Sequence, residues 1–331
     1  MKFEAVKQAL AHQNSGRVPY TIILAPESWD LYAPKLIERY ADDKIKADLE
    51  AGRIDRLDAY SLAVGNCMLY VNCPWWGWHS FPEDYSKEEA PTLLPYTYGY
   101  GSYEQSFAHW KYLKENYDAY LLVTIWGSHF EKAYFARGLE NFLADMAGEP
   151  EFSAELLNMI IRKNMVMLEN FLVSPHIDGV LLGSDWGTQR GMLMSPSSWM
   201  ELIRNGEKQE YDLIHRMKKD AFVHSCGKID AILPELCDMG LDALNPIQPE
   251  CMDIGELKRL YGDKLTFFGG ISTQQTLPNG TPDEVRRETR RIIEMMSVNG
   301  GYITGPSQEI MPDVPYENLI ALIDTAKEYM Q

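Results

Sequence analysis

Short apolar runs rich in β-branched and aromatic residues alternate along this chain with longer segments of helical periodicity. The runs that predict strands are Val18–Leu24, Ala59–Val64, Ala119–Thr124, Gly179–Gly183, Ala221–His224, Ala243–Asn245, Leu265–Phe268 and Tyr302–Thr304. The segments that predict helices include Ser153–Phe171, Pro196–Lys218, Ile229–Met239 and Asp283–Val298. Strands that alternate with helices indicate a parallel sheet, and eight such units predict an α/β fold of the (β/α)8 TIM-barrel type.

A doubly wound parallel sheet is the competing architecture for such an alternation of elements. That fold often carries a Gly-x-Gly-x-x-Gly loop after its first strand, and the loop is absent from this sequence. The chain also shows no linker, low-complexity segment or convincing internal repeat. We therefore expect residues 1–331 to form a single barrel domain.

One stretch, from about residue 67 to 103, does not fit the alternation of strands and helices expected of a barrel. It is rich in Trp, Tyr, Pro and Gly, and it is too long for an ordinary loop after the second expected strand. One interpretation is a lid or wall over an apolar or aromatic substrate, with Trp76 as a substrate-binding residue. The alternative is a packed insertion, such as a small hairpin or a dimer contact, because aromatic residues also mark interfaces.

The charge of the chain excludes some partners. The 48 acidic and 31 basic residues give a formal net charge of −17. A field of that sign repels phosphate backbones and anionic lipids, so we expect neither nucleic acid nor membrane surfaces to be partners.

The cysteine content points to a reducing compartment. The five cysteines, an odd number in a long chain, favour free thiols over a disulfide framework. The first 17 residues are amphipathic, without the continuous apolar core of a signal peptide, and no window reaches the length of a membrane span. These features predict a soluble, cytoplasmic protein.

Polar residues follow the later expected strands, at the end where active sites of parallel barrels lie. Asp185 and Gln189 follow the fourth run, Asn245 and Gln248 end the sixth, and Gln308 follows the eighth. Asp185 is the candidate for catalysis, although an Asp after a strand is more often a helix cap. The other four are candidates for substrate binding, and the alternative for Asn245 and Gln248 is that they hydrogen-bond to loop backbone.

The fifth run ends in His224-Ser225-Cys226-Gly227, which places an imidazole and a thiol two residues apart. In an extended chain, residues i and i+2 point to the same side, so both side chains can reach one ion. Nitrogen and sulfur are ligands that suit zinc. A buried cysteine beside a hydrogen-bonded histidine is the alternative. Cys251 follows the next strand and is a candidate third thiolate or a surface thiol.

Several motifs along the chain resemble those of the uroporphyrinogen decarboxylase superfamily. They are Ser15–Pro19, Gly183–Gln189, His224–Gly227, Asn245–Gln248, Phe268–Ile271 and Pro312–Asn318. The likeness extends over essentially the whole chain and keeps the order of the motifs. It implies a (β/α)8 barrel.

Two chemistries occur in that superfamily. Decarboxylases of uroporphyrinogen carry an Arg-Gln-Ala-Gly-Arg motif near the N-terminus whose arginines hold substrate carboxylates. The corresponding stretch here, Thr21–Glu27, has no arginine, and the charge of −17 does not suit a polycarboxylate. The resemblance therefore favours the other branch, the corrinoid-dependent methyltransferases, which bind zinc through a His-x-Cys pair and a distant Cys.

His224 and Cys226 match the pair of that branch, and the resemblance implies that they are zinc ligands. The position of the distant Cys is occupied by Gln308. Glu309, Cys251 or Asp185 would then supply the third ligand, or the metal is absent.

The expected function is methyl transfer between a small methylated substrate and a corrinoid carried on a partner protein, assisted by zinc. The aromatic stretch makes a methoxylated aromatic one candidate substrate, so the reaction would be an O-demethylation. The alternatives are a metal-free decarboxylase that uses Asp185, and a corrinoid- or tetrapyrrole-binding protein without catalysis.

Overall fold

The computed structural model describes residues 1–78, 80–81, 96–98 and 101–331. Its strands are β1 (Met68–Val71), β2 (Trp75–Gly77), β3 (Tyr96–Tyr98), β4 (Tyr120–Ile125), β5 (Gly179–Gly183), β6 (Asp220–His224), β7 (Ala243–Ile247), β8 (Thr266–Ile271) and β9 (Tyr302–Pro306). The larger sheet consists of β1 and β4 to β9, and its hydrogen-bonded neighbours follow the order of these strands in the chain. The smaller sheet pairs β2 with β3.

Helices separate most of these strands, as the sequence pattern predicts. They are α1 (Lys2–Leu10), α2 (Trp29–Tyr40), α3 (Asp43–Glu50), α4 (Arg56–Val64), α5 (Tyr103–Asn116), α6 (Phe130–Arg137), α7 (Leu139–Gly148), α8 (Pro150–Leu172), α9 (Pro196–Leu202), α10 (Arg204–Arg216), α11 (Leu233–Met239), α12 (Ile254–Tyr261), α13 (Thr276–Asn279), α14 (Pro282–Met296) and α15 (Tyr316–Glu328). The mixed α/β class is confirmed, and six of the eight expected strands form within a few residues of their predicted bounds.

The second expected strand, Ala59–Val64, is wrong, because these residues belong to α4. Asp55 and Asp58 form a reciprocal capping box at the start of this helix, and Gly65 ends it in the left-handed conformation. The helix is buried on nearly all sides, so its sequence lacks the polar stripe that distinguishes a helix from a buried strand. The strand at this point is β1, which follows the helix.

The first expected strand, Val18–Leu24, is also corrected. Within the described chain it makes two isolated parallel bridges, Tyr20 to Thr304 and Leu24 to Ile310. At Ile22 the side chain of Asn66 replaces a neighbouring strand: its Oδ1 accepts from the Ile22 N–H at 2.9 Å, and its Nδ2 donates to the Ile22 carbonyl at 3.0 Å. Side-chain pairing of this kind has no signature in the periodicity of the run.

Two expected helices are divided. Pro196–Lys218 forms α9 and α10, which meet at Ile203, and Ile229–Met239 forms a short 3-10 turn followed by α11. The expected insertion at 67–103 includes β1, β2 and β3, with Trp75 opposite Tyr98 and Trp76 opposite Thr97. The rest of that prediction, at residues 79, 82–95 and 99–100, lies outside the described residues.

The chain divides into two compact units. One comprises Met1–Tyr70, His109–Leu122 and Asp242–Gln331. Within it, β7, β8 and β9 pair in parallel, and all their residues are buried. The single-domain assignment stays a prediction.

The other unit comprises Val71–Ala108 and Val123–Leu241. Within it, β5 and β6 pair in parallel, with Gly179 opposite Asp220 and Gly183 opposite His224. All of β5 and all of β6 except Asp220 are buried, which matches the continuous apolar runs of parallel sheets. No helix among the described residues is long and apolar enough to cross a membrane.

Candidate metal centre and active site

The parallel register of β5 and β6 brings three of the predicted site residues together. Gly183 and His224 are opposite each other, and the Ser184 N–H donates to the His224 carbonyl at 2.8 Å. Asp185 and Cys226 each lie two residues beyond this pair. One ligand atom from each of Asp185, His224 and Cys226 lies within 4.8 Å of the other two. We call these three residues the triad.

The spacing of the triad atoms suits a metal ion. Cys226 Sγ lies 3.5 Å from His224 Nε2, and Asp185 Oδ1 lies 3.8 Å from the same nitrogen. Ligand bonds of about 2.3 Å from zinc to sulfur and about 2.0 Å to nitrogen, at a tetrahedral angle, separate the two ligand atoms by roughly 3.5 Å. A nitrogen, a sulfur and an oxygen donor also leave one position open, as in catalytic zinc sites. The three residues therefore fit zinc.

Backbone contacts fix the two loops that carry the triad. The Cys226 N–H donates to Asp185 Oδ1 at 2.8 Å, and the Trp186 N–H donates to Ser225 Oγ at 3.0 Å. Gly227 has a φ of +84°, a region that favours glycine. A Cβ built on Gly227 would lie 2.5 Å from the carbonyl carbon of Gly187, so the two loops touch backbone to backbone.

We therefore expect Gly227→Ala to displace Cys226. The added methyl group meets backbone atoms of the facing loop, and the residue would be strained at positive φ, so the free energy of unfolding should fall by about 2 kcal/mol or more. Urea unfolding measures this loss, and zinc titration measures the accompanying loss of metal affinity.

The matched control for this prediction is Gly16→Ala. Gly16 also has a positive φ, +74°, but a Cβ there meets nothing within 4 Å. At Gly16 the substitution adds only backbone strain, so the free energy of unfolding should fall by about 1 kcal/mol and the zinc affinity should not change. Equal losses of stability in the two variants would contradict the role given to loop contact.

An aromatic side chain that the sequence analysis missed lies against the triad. The indole of Trp126, just after β4, contacts the His224 ring edge to face, with centroids 5.0 Å apart and an interplanar angle of 82°. Trp126 is 37% exposed, which is unusual for a tryptophan and typical of a binding surface. Its position after a fully buried strand is the signal that could have identified it.

Two residues of α6 add a carboxyl and a phenol near the triad. The Glu131 carboxylate accepts from the Gly127 N–H at 3.2 Å and from the Tyr134 hydroxyl at 2.9 Å. Burial, with a smaller contribution from the negative charge of Asp185, raises the pKa of Glu131 to about 7. Burial also raises the pKa of Tyr134, together with the charges of Glu131, Asp185 and Cys226. A carboxyl group that changes charge near neutral pH can hold or release a proton beside the triad.

A buried hydrogen-bonded network lies behind the site. The amide of Asn164 donates to the Ser128 carbonyl at 2.9 Å and to Glu210 Oε1 at 2.8 Å, and its oxygen accepts from the Trp76 indole at 2.9 Å. Ser128 Oγ lies 3.1 Å from the hydroxyl of Ser184, the residue before Asp185. The network thus connects Trp76 with the loop that carries Asp185.

The other predicted site residues occupy varied surroundings. Trp76 is half-buried, and Gln189 is exposed in the loop after β5. In the other unit, Asn245 and Gln248 are buried at the end of β7, and Gln308 is half-buried after β9. Their substrate-binding roles stay predictions.

Two further candidates for the third ligand are also in the other unit. Cys251 Sγ donates to the Gln248 carbonyl at 3.6 Å. Burial, with a smaller contribution from the charge of Glu27, raises the pKa of Glu309 to about 7.

Comparison with known proteins identifies relatives of the chain. The family model described as uroporphyrinogen decarboxylase (URO-D) matches residues 105–329 of the 331. The methylcobamide:CoM methyltransferase MtaA of Methanosarcina barkeri is 28% identical over 137 residues, 41% of this chain and 38% of that protein.

Two further relatives carry different names. The methylated-thiol–coenzyme M methyltransferase of Methanosarcina mazei is 22% identical over 65% of this chain and 56% of its own length. The uroporphyrinogen decarboxylase of Pseudoalteromonas translucida is 30% identical over 40% of this chain and 35% of its own length. The chain thus spans about a third to a half of the lengths of the curated relatives that it matches.

A solved structure described as a methyltransferase from Methanosarcina mazei superposes with a TM-score of 0.68. The match covers 100% of this chain and 99% of that one, at 15% sequence identity. At such low identity, the likeness establishes a common fold.

Proposed function

Since the chain belongs to the uroporphyrinogen decarboxylase family, we propose that it is an enzyme that transfers a methyl group between a small methylated compound and a corrinoid protein. The observation that carries the proposal is the convergence of Asp185, His224 and Cys226 on one point. Two relatives named as methyltransferases of methylcobamide or methylated thiols support the same reaction class.

In the proposed site, His224, Cys226 and Asp185 would hold a zinc ion. When bound, the metal supplies Lewis acidity, which lowers the pKa of a thiol or stabilises the oxygen or nitrogen from which a methyl group departs. Trp126 covers one edge of the His224 ring and forms an apolar wall for the methyl compound. The pair of Glu131 and Tyr134 exchanges the proton that a thiol loses or that a departing oxygen takes up.

A methoxylated aromatic is the methyl donor that we propose. The exposed indole of Trp126 beside the triad offers a flat surface on which such a ring can stack.

The test is turnover of a panel of methoxylated benzenes with a cob(I)alamin-loaded corrinoid protein, followed by the absorption change on formation of methylcobalamin. We expect methylation of the corrinoid with the zinc-loaded enzyme. A lack of turnover with every ether would overturn the aromatic donor, and a lack of turnover with methylated thiols and amines as well would overturn methyl transfer.

A decarboxylase is the second candidate, because one relative at 30% identity bears that name. In that reaction Asp185 acts on a carboxylate substrate without a metal. Carbon dioxide release by zinc-free protein would favour it over methyl transfer. A spectral change of the corrinoid without product formation would instead indicate a non-catalytic corrinoid- or tetrapyrrole-binding protein.

A further inference from the structure

A cleft of about 730 Å³ lies between the β2–β3 pair and one face of α8. Its β2 wall includes Trp75 and Trp76, and Tyr103 at the start of α5 adds a third aromatic side chain. The volume lies within the range of ordinary small-molecule sites.

The helix face that lines this cleft differs from the core face of the same helix. Arg162, Lys163 and Val166 lie on it at the spacing of one helical stripe. Val166 is 59% exposed, so the stripe combines apolar surface with two cationic groups. Asn164 of the same helix points instead into the buried network and is fully buried.

Contacts with Lys132 and Asn164 hold the rings of Trp75 and Trp76 in place. Lys132, buried beneath them, lies with its Nζ 5.0 Å from the Trp75 ring and 5.1 Å from the Trp76 ring. The Trp76 indole N–H is held by Asn164 at 2.9 Å. Rings fixed in this way can receive a ligand without further ordering, which lowers the entropic cost of binding.

The two cationic groups of the cleft are available to an anion. Neither Arg162 nor Lys163 makes an ion pair within the described part of the chain. The Lys163 Nζ lies 5.7 Å from the centre of the Trp76 ring. Arg162 and Lys163 thus line the cleft without a carboxylate partner among the described residues. Their combination with three aromatic side chains matches a planar ring that bears a negative charge.

We propose that this cleft binds an aromatic carboxylate, whose ring packs against Trp75 and Trp76 and whose carboxylate pairs with Arg162 and Lys163. This binding requires neither the triad nor a corrinoid. The proposal therefore extends beyond the methyl-transfer function and can be tested apart from it.

The test is a calorimetric or fluorescence titration of the full-length, zinc-free chain with 2-naphthoate, 2-naphthamide and cyclohexanecarboxylate. We expect saturable binding of 2-naphthoate, about tenfold weaker binding of the uncharged amide, and about tenfold weaker binding of the non-aromatic acid. In the Arg162→Gln/Lys163→Gln variant, the affinity for 2-naphthoate should fall about tenfold and the affinity for the amide should stay within about twofold.

Arg216→Gln/Lys264→Gln is the matched control, since it removes two charges at exposed positions elsewhere in the chain. Its affinity for 2-naphthoate should equal that of the wild type. Trp75→Leu removes one aromatic wall of the cleft and leaves the charge of the protein unchanged. This variant should bind 2-naphthoate more weakly than the wild type. The proposal is overturned if 2-naphthoate does not saturate the protein, if the amide binds equally well, or if the control weakens binding as much as the cleft variant.

Discussion

The Cys226→Ala variant should lose nearly all of the zinc that the wild-type chain retains after dialysis. The wild type is expected to hold about one ion per chain, because three donor atoms surround one position. Removal of the thiolate leaves an imidazole and a carboxylate, so we expect a loss of at least about a thousandfold in zinc affinity and of methyl transfer with it. Metal analysis and a competition titration with a chromophoric chelator measure the effect.

Cys237→Ala provides the control, since Cys237 is a thiol of α11 outside the triad. It should retain its zinc. If the Cys226→Ala variant binds zinc as the wild type does, or if Cys237→Ala loses the metal equally, the assignment of the ligands is wrong.

The identity of the third ligand can be decided separately. Asp185→Asn keeps an oxygen that can accept from the Cys226 N–H but removes the carboxylate charge, so it should lower zinc affinity by about 10- to 100-fold. The zinc-edge absorption spectrum should show one sulfur neighbour. Two sulfur neighbours would indicate Cys251, whereas one sulfur with full zinc affinity in Asp185→Asn would indicate Glu309.

The second large effect is expected in the buried network. Asn164 is fully buried, and its amide satisfies the Ser128 carbonyl, Glu210 and the Trp76 indole at once. Asn164→Ala removes all three hydrogen bonds and leaves buried polar groups unsatisfied, each at a cost of about 1–3 kcal/mol. We expect the free energy of unfolding to fall by about 3–5 kcal/mol in a urea titration.

Asn141→Ala is the matched control, because Asn141 is exposed and donates a single bond to the Arg137 carbonyl at 3.3 Å. It should change stability by less than about 1 kcal/mol. The double variant Asn164→Ala/Glu210→Met removes the carboxylate that lost its donor, so part of the stability should return. Simple additivity of the two substitutions would contradict the coupling that the network implies.

Sequence patterns predicted the strands of the later part of the chain well because those strands are continuously apolar and end in glycine or polar residues. β5 and β6 show this, since their bounds were recognisable from Gly179–Gly183 and Ala221–His224 alone. The pattern failed at α4, because a helix buried on nearly all sides carries no polar stripe. It also failed at Ile22, where one asparagine side chain pairs with the backbone.

The sequence by itself determined the α/β class, the selection of His224 and Cys226 as candidate metal ligands, and the resemblance to the family. These properties depend on residues close together in the chain or on the order of motifs. The tertiary structure alone decided that Asp185 joins the pair, that Trp126 and Glu131 border it, and that Arg162 faces Trp75 across a cleft. Strand register and helix packing bring these distant residues together, and no local periodicity encodes either of them.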